Sequence, residues 1–352
     1  MKRLHEYANK LLDEDSAAYE TIQSKSSSKS FLSTFMSSGT LEDRISALTL
    51  LVQESPLHNR KAFGSLLALG KKKSRNQALI ALSALKDLLA QGLVLPANRK
   101  LRPFVKQPAL LNAVSGIKQF KNWTPDDELP GKLQRIHLIY WAYEDWLKRA
   151  YLELLRALET WSNDEIGFAR SRALTFVWEL LKEKPEQEEN LLRLLINKLG
   201  DKDKKISSRA SYLLLQLQGQ HPLMKGIIVD AIESDLLFRP GQSLHAKYYA
   251  VITMNQTVLS AKETTVANKL LDIYFKLFAF LLAEPSRRDK VGLGTREGPA
   301  DGQGIHRKNT KTRGKQVANV EKRDTELNEK LLSQLLTGVN RAFPFAQTDD
   351  AT

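Results

Sequence analysis

Apolar residues recur with a helical period along nearly the whole chain, and that period restricts the fold more than any other feature. Leu41, Ile45, Leu48, Leu51 and Val52 fall at i, i+4, i+7, i+10 and i+11, one face of an amphipathic helix. Thr40 and Asp43 stand where a capping box needs them, and Pro56 bars continuation. A second stripe, Leu79, Leu82, Leu85, Leu88 and Leu89, begins after Ser74 and stops at Gly92, with Pro96 beyond it. Others run from Ile166 to Leu180, Leu192 to Leu199, Ile206 to Leu217, Ile227 to Ile232, Lys247 to Leu259 and Val266 to Leu281. Pro185, Gly200, Gly219 with Pro222, and Pro240-Gly241 punctuate them. No stretch alternates with period two between hairpin turns, so the expected class is all-α.

The stripes repeat. Laying Arg172-Ala173, Val177 and Leu180 over Arg209-Ala210, Leu214 and Leu217 needs an offset of 37, which also places Asp164 over Asp201. Ala47-Leu48 and Ala78-Leu79 are similar starts 31 apart. Units of this length, each two helices and a turn, predict an armadillo/HEAT-like helical-repeat solenoid, in which stacking buries the apolar face that one unit leaves open. The expected layout is an N-terminal helix and Ser-rich linker over 1–39, helical repeats with a basic segment over 40–132, and the solenoid over 133–285. A disordered basic insertion over 286–323 and a C-terminal helical part over 324–352 complete it.

Charge is concentrated rather than spread. The net charge is +13 at pH 7. Residues 71–106 carry nine cations and one anion and residues 286–323 carry eleven and four, leaving −2 for the rest. Focused positive charge is the footprint of a phosphate-contacting protein. The candidate contacts are Lys71, Lys72, Lys73, Arg75, Arg99, Lys100, Arg102 and Lys106, then Arg307, Lys308, Lys311, Arg313 and Lys315. The plain alternative for Lys71 to Lys73 is a solvated turn. The second segment, with glycines at 292, 294, 298, 302, 304 and 314 and few large apolar residues, lacks the material for a core and is expected to be a flexible insertion.

Reaction chemistry finds little support. There are no cysteines, which excludes disulfides, Cys-ligated zinc or iron-sulfur centres and a thiol nucleophile, and fits a reducing compartment. No two of the six histidines stand at i, i+4, so no metal or other cofactor is expected. The Gly292 to Gly298 run follows no strand and lacks a Gly-Lys-Ser/Thr end, so it fails as a nucleotide loop. Glu144 and Asp145, adjacent on a predicted helix, diverge rather than converge on one substrate atom. Glu186, Glu188 and Glu189 after Pro185 are read as complements of a helix dipole. The aromatics from Tyr140 to Trp161 are read as core, with Ile136, Tyr140, Tyr143, Leu147, Leu154, Leu155 and Leu158 on one face. The longest apolar run, Leu277 to Ala283, is too short to span a bilayer, and the amino terminus has no signal-like apolar stretch. The expectation is a soluble intracellular chain with no membrane partner.

Three segments carry a resemblance. These are Glu179 to Ile206; Leu237-Phe-Arg-Pro-Gly241 with Ala246-Lys-Tyr-Tyr-Ala-Val251; and Leu335-Leu-Thr-Gly-Val-Asn-Arg-Ala-Phe-Pro-Phe-Ala346. Together they resemble the CCAAT-binding-factor/maintenance-of-killer family of nucleolar proteins over about residues 130 to 346, the last marking the start of that family's shared C-terminal domain. The resemblance implies a non-enzymatic assembly factor for the large (60S) ribosomal subunit, located in the nucleus and nucleolus. Its implied partners are precursor ribosomal RNA, the second nucleolar complex protein as heterodimer partner, other large-subunit assembly factors and ribosomal proteins. Family members continue beyond the last segment, so a chain stopping at Thr352 is expected to be a fragment. Two rival functions remain in view. One is a CCAAT-box DNA-binding regulator, for which no zinc-finger, basic-zipper or homeodomain signature stands. The other is a protein-only interaction solenoid whose charge serves nucleolar import.

Overall fold

The computed structural model describes residues 1–24, 27–92, 94–115, 123–283 and 309–346, with side chains for all of these except 27–31, 33 and 309–324. Every regular element among them is helical, as the periodicity predicts. The chain divides into two compact units, Met1–Leu194 and Leu195–Thr352, the division falling inside one helix.

The first unit holds α1 (Lys2–Gln23), α2 (Ser27–Ser38), α3 (Leu41–Glu54), α4 (Arg60–Gly70), α5 (Arg75–Ala90), α6 (Pro108–Val114), α7 (Arg135–Ser162) and α8 (Gly167–Glu183), and the start of α9 (Glu188–Asn197). The capping box at α3 forms as read. Asp43 N–H donates to the Thr40 hydroxyl at 3.3 Å, and Thr40 N–H to the Asp43 carboxylate at 3.0 Å. Helices α3, α4 and α5 pack on one another, α5 packs on α8, and α7 lies against α1, α4 and α8. Where α1 meets α7, Leu4, Ala8, Leu11 and Leu12 close over Leu138 and Ala142, with Phe104, Leu110 and Trp123 completing the cluster. Trp161 at the end of α7 donates its indole N–H to the Gly70 carbonyl at 2.8 Å, tying α7 to α4.

Two readings of this unit need correction. Residues 27–38, expected within a Ser-rich linker, form α2 beside α3. Phe31, Leu32, Phe35 and Met36 recur at helical spacing there, and that periodicity outweighs the weak propensity of the serines. On α7 the aromatic face is covered only from Tyr143 onward. Ile136 and Tyr140 are 52% and 57% exposed, because α1 packs on Leu138 and Ala142 instead.

The second unit contains α10 (Lys204–Gln220), α11 (Met224–Ile232), a π-helical turn over Glu233–Leu237, α12 (Leu244–Asn255), α13 (Thr264–Ala283) and α14 (Asn309–Ala342). Helix α12 packs on α10 and α14, and α13 on α11 and α14. Between the π-helical turn and α12 the chain passes through Gly241, whose φ of +80° a side chain would oppose. Helix α14 starts at Asn309, inside the stretch expected to be disordered. Glycine thins to Gly314 alone there, among lysine, arginine and glutamine, all good helix formers. The rest of that stretch, residues 286–308, lies outside the described residues.

The 37-residue offset holds in detail. Helices α8 and α10 are each 17 residues long and start at 167 and 204. Asp164 accepts the Ile166 N–H at 2.7 Å and Asp201 the Asp203 N–H at 3.0 Å, the same turn before each helix. The side chains of Arg170 and Ser207, 37 apart, donate to the carbonyls of Asp164 and Asp201 at 2.9 and 3.0 Å. Ala173 and Ala210, Val177 and Leu214, and Leu180 and Leu217 are all fully buried.

Candidate nucleic-acid interface

The first basic segment contains a strap, residues 99–107, whose one regular element is a short 3-10 turn over Phe104–Lys106, so its earlier backbone N–H groups must find partners elsewhere. Carboxylates provide them. Leu101 N–H donates to Glu186 at 2.6 Å, Arg102 N–H to Glu144 at 2.8 Å and Phe104 N–H to Asp145 at 3.1 Å. The Gln107 amide adds a second bond to Glu144 at 2.9 Å. Lys148 bridges the Leu101 carbonyl and Glu186, both at 2.9 Å. Leu101 and Phe104 are buried, each contributing roughly 1.5–3 kcal/mol of apolar burial. The strap is therefore pinned to α7 and to the turn before α9.

That turn explains Glu186. It stands before α9, whose first residue is Glu188, and its side chain is turned inward and nearly fully buried. Gln187 beside it takes φ +55°, a left-handed conformation costing about 1–2 kcal/mol in a non-glycine residue. The dipole reading holds for Glu188 and Glu189 in the first turn of α9, while Glu186 anchors the strap. Glu144 and Asp145, neighbours on α7, both reach the strap, at the Arg102 and Phe104 N–H groups.

Ion pairs sort the candidate cations. Lys71 pairs with Glu153 at 2.7 Å, Arg75 with Asp164 at 3.0 Å, Lys100 with Glu188 at 2.7 Å, and Arg99 with Glu144. Burial pushes the Glu144 carboxyl up, but bonds from Arg99, the Arg102 N–H and Gln107 more than offset it and hold it below the ordinary value. Asp164 behaves likewise, its burial outweighed by the Ile166 N–H and Arg75. The hydrogen bond to Glu144 raises Arg99. Lys72, Lys73, Arg102 and Lys106 are exposed and form no ion pair among the described residues. Glu144 and Glu153 are nine residues apart on α7, about 14 Å at the helical rise, so both parts of the segment dock along one helix. Of the second group, Arg307 and Lys308 lie outside the described residues. Lys311, Arg313 and Lys315 fall on α14 where only the backbone is described.

Sequence reasoning named Glu144, Asp145 and Glu186 but missed their anchoring of the strap, because their partners lie 42, 41 and 85 residues away in the chain. Among the described residues no group of three or more His, Cys, Asp or Glu is placed to hold a metal, and no helix is long and apolar enough to cross a membrane.

Fold and surface together define an all-helical protein with a pinned, partly neutralised basic strap. No family model matches the chain. Among curated proteins it is 54% identical over 350 residues to the ribosome biogenesis protein NOC1 of Chaetomium thermophilum, covering 99% of this chain and 33% of that protein. It is 37% identical over 332 residues to human CCAAT/enhancer-binding protein zeta, covering 94% and 26%. To nucleolar complex protein 1 of Drosophila melanogaster it is 32% identical over 252 residues, covering 72% and 20%. The chain belongs to the family of these proteins, as the three motif segments anticipated, and spans a third or less of the length of these relatives.

Proposed function

We propose that this chain is a non-enzymatic scaffold of large-subunit ribosome biogenesis, acting in the nucleolus and holding precursor ribosomal RNA through its first basic segment. The observation that carries the RNA part is the pinned strap. Arg102 and Lys106 project unpaired from the strap and Lys72 and Lys73 from the turn after α4, whereas Lys71, Arg75, Arg99 and Lys100 of the same segment are already neutralised. Fixed cations position a phosphate backbone without reading bases. The relatives named for ribosome biogenesis and the nucleolar complex support the cellular setting. The 37-residue register of α8 and α10 supports a helical-repeat solenoid, whose faces would meet the second nucleolar complex protein, other assembly factors and ribosomal proteins.

Ultraviolet crosslinking within purified precursor particles tests this. RNA-linked peptides are expected from residues 71–106. Crosslinks confined to other residues would remove the strap from the RNA role, and preference for duplex DNA carrying a CCAAT box over structured RNA would favour a DNA-binding regulator.

A further inference from the structure

One side of α7 is formed by Ile136, Tyr140, Glu144, Leu147 and Tyr151, at i, i+4, i+8, i+11 and i+15. Leu147 and Tyr151 are buried, and the strap crosses the row at Glu144, which holds the Arg102 N–H at 2.8 Å and the Arg99 guanidinium. Beyond the crossing the row is uncovered, and Tyr140 and Ile136 face solvent. They lie about 6 and 12 Å from Glu144 along the helix axis, so the open ring begins one turn from the strap. Leu138 and Ala142, which α1 covers, point to the other side of the helix.

The Tyr140 ring makes no hydrogen bond, ring contact or cation contact among the described residues. Its neighbour Trp141 is stacked on His137. Tyr212 in the second unit is about as exposed, at 51%, but the Arg209 guanidinium lies 5.5 Å from its ring centroid. Two cations flank the open row. Arg102 stands at the crossing and Arg135 opens the helix one residue before Ile136, both exposed and without an ion pair among the described residues. The acids of the preceding loop, Asp126, Asp127 and Glu128, are tied to the opposite side of α7. There Trp123, which packs in the α1 cluster, donates to the Glu128 carbonyl at 3.2 Å, and Asp127 accepts the Thr124 N–H at 2.7 Å.

An open aromatic ring between unpaired cations suits a single strand, whose bases stack on the ring while its phosphates meet the cations. Duplex RNA offers no free base face, because its bases are stacked on one another. A protein interface needs roughly 800 Å² per partner, which one tyrosine and one isoleucine do not supply. We propose that Tyr140 is a base-stacking platform for single-stranded RNA, with the adjoining nucleotide against Ile136 and the flanking phosphates held by Arg102 and Arg135. The proposal rests on the RNA reading of the strap and adds to it: the cations hold the polymer, and the ring selects unpaired segments.

The test is fluorescence anisotropy of the whole 352-residue chain with a labelled single-stranded RNA of mixed sequence, and with its duplex, from 50 to 200 mM salt. Tyr140→Ala should weaken single-strand binding by about 5- to 150-fold, the worth of one stacked base, with the slope of log affinity against log salt unchanged. Duplex binding should stay as it is. Tyr140→Leu, a good helix former without a ring, should lose as much as alanine, and Tyr140→Phe should recover most of the loss. Tyr212→Ala, with its ring already covered, should bind as the parent does. Tyr140 is exposed, so thermal unfolding followed by tryptophan fluorescence should agree among all of these proteins. Parental single-strand affinity in Tyr140→Ala and Tyr140→Leu overturns the proposal. So does an equal loss on the duplex, or a phenylalanine variant as weak as the alanine one. In any of these cases a lower affinity and a shallower salt slope in the Arg102→Ala, Lys106→Ala double variant would leave the strap reading standing, whereas a parent chain that binds no RNA removes both. Self-association abolished by Tyr140→Ala would assign the face to a second copy and also overturn the proposal.

Discussion

Replacing Glu186 with alanine should destabilise the first unit sharply. The substitution leaves the buried Leu101 N–H without an acceptor, a loss of about 1–3 kcal/mol, and takes the carboxylate from Lys148. Breaking a buried pair by removing one partner costs about 3–5 kcal/mol, but Lys148 keeps the Leu101 carbonyl and some solvent, which lowers its share. The combined loss is about 3 kcal/mol, which for a unit of this size lowers Tm by roughly 6–12 °C. Glu186→Gln retains an acceptor and should cost about 1 kcal/mol. Tryptophan fluorescence is the assay. All five tryptophans, Trp123, Trp141, Trp146, Trp161 and Trp178, lie in the first unit, so the signal follows that unit alone. In a double-mutant cycle with Lys148→Met the coupling should exceed about 1 kcal/mol. A drop of under 2 °C for Glu186→Ala, or purely additive effects with Lys148→Met, would refute the anchoring argument.

The same probe serves the acid limb of stability. Glu144 titrates below its ordinary 4.5 and Asp164 below 3.8, so each contributes stability that is present above the unfolded value and lost as pH falls through the depressed one. The Tm of the first unit should hold steady above about pH 6 and decline below about 4.5, and Glu144→Gln should make that decline shallower; an unchanged slope would contradict it. Thr40→Ala removes the capping box of α3 and should cost about 1 kcal/mol, or about 2–4 °C by fluorescence. If the 37-residue register is structural, Ala173→Leu and Ala210→Leu should each overpack a fully buried helix contact by about 1–3 kcal/mol, followed by fluorescence and by circular dichroism respectively. A tolerated leucine at either site counts against the equivalence.

What the sequence disclosed was mostly local. The Thr40 to Asp43 box, the stripe starting at Leu79 and the equivalence of Asp164 with Asp201 rest on contacts within a few residues, and these appear as read. The basic segment was legible as charge but not as surface. Lys71 meets Glu153 82 residues away and Lys100 meets Glu188 88 residues away, and a windowed charge count does not register such distant partners. For the same reason Glu186 looked like a dipole complement, since its partner Leu101 is 85 residues distant. The α2 helix was hidden by composition, because serine frequency spoke for a linker while four apolar residues set the period. The close packing at Gly338 left only a glycine within a helical pattern, which is a weak sign until Asn255 and Tyr274 are seen against it.

The salt dependence of RNA binding tests the central claim most directly. The 352-residue chain and its Lys72, Lys73, Arg102 and Lys106 alanine variant would be titrated with a structured ribosomal RNA fragment from 50 to 200 mM salt. Each phosphate contact contributes about 0.7–0.9 to the slope of log affinity against log salt, so losing four should reduce its magnitude by about 3. Matching slopes and affinities for the two proteins would contradict the assignment of these four cations to RNA.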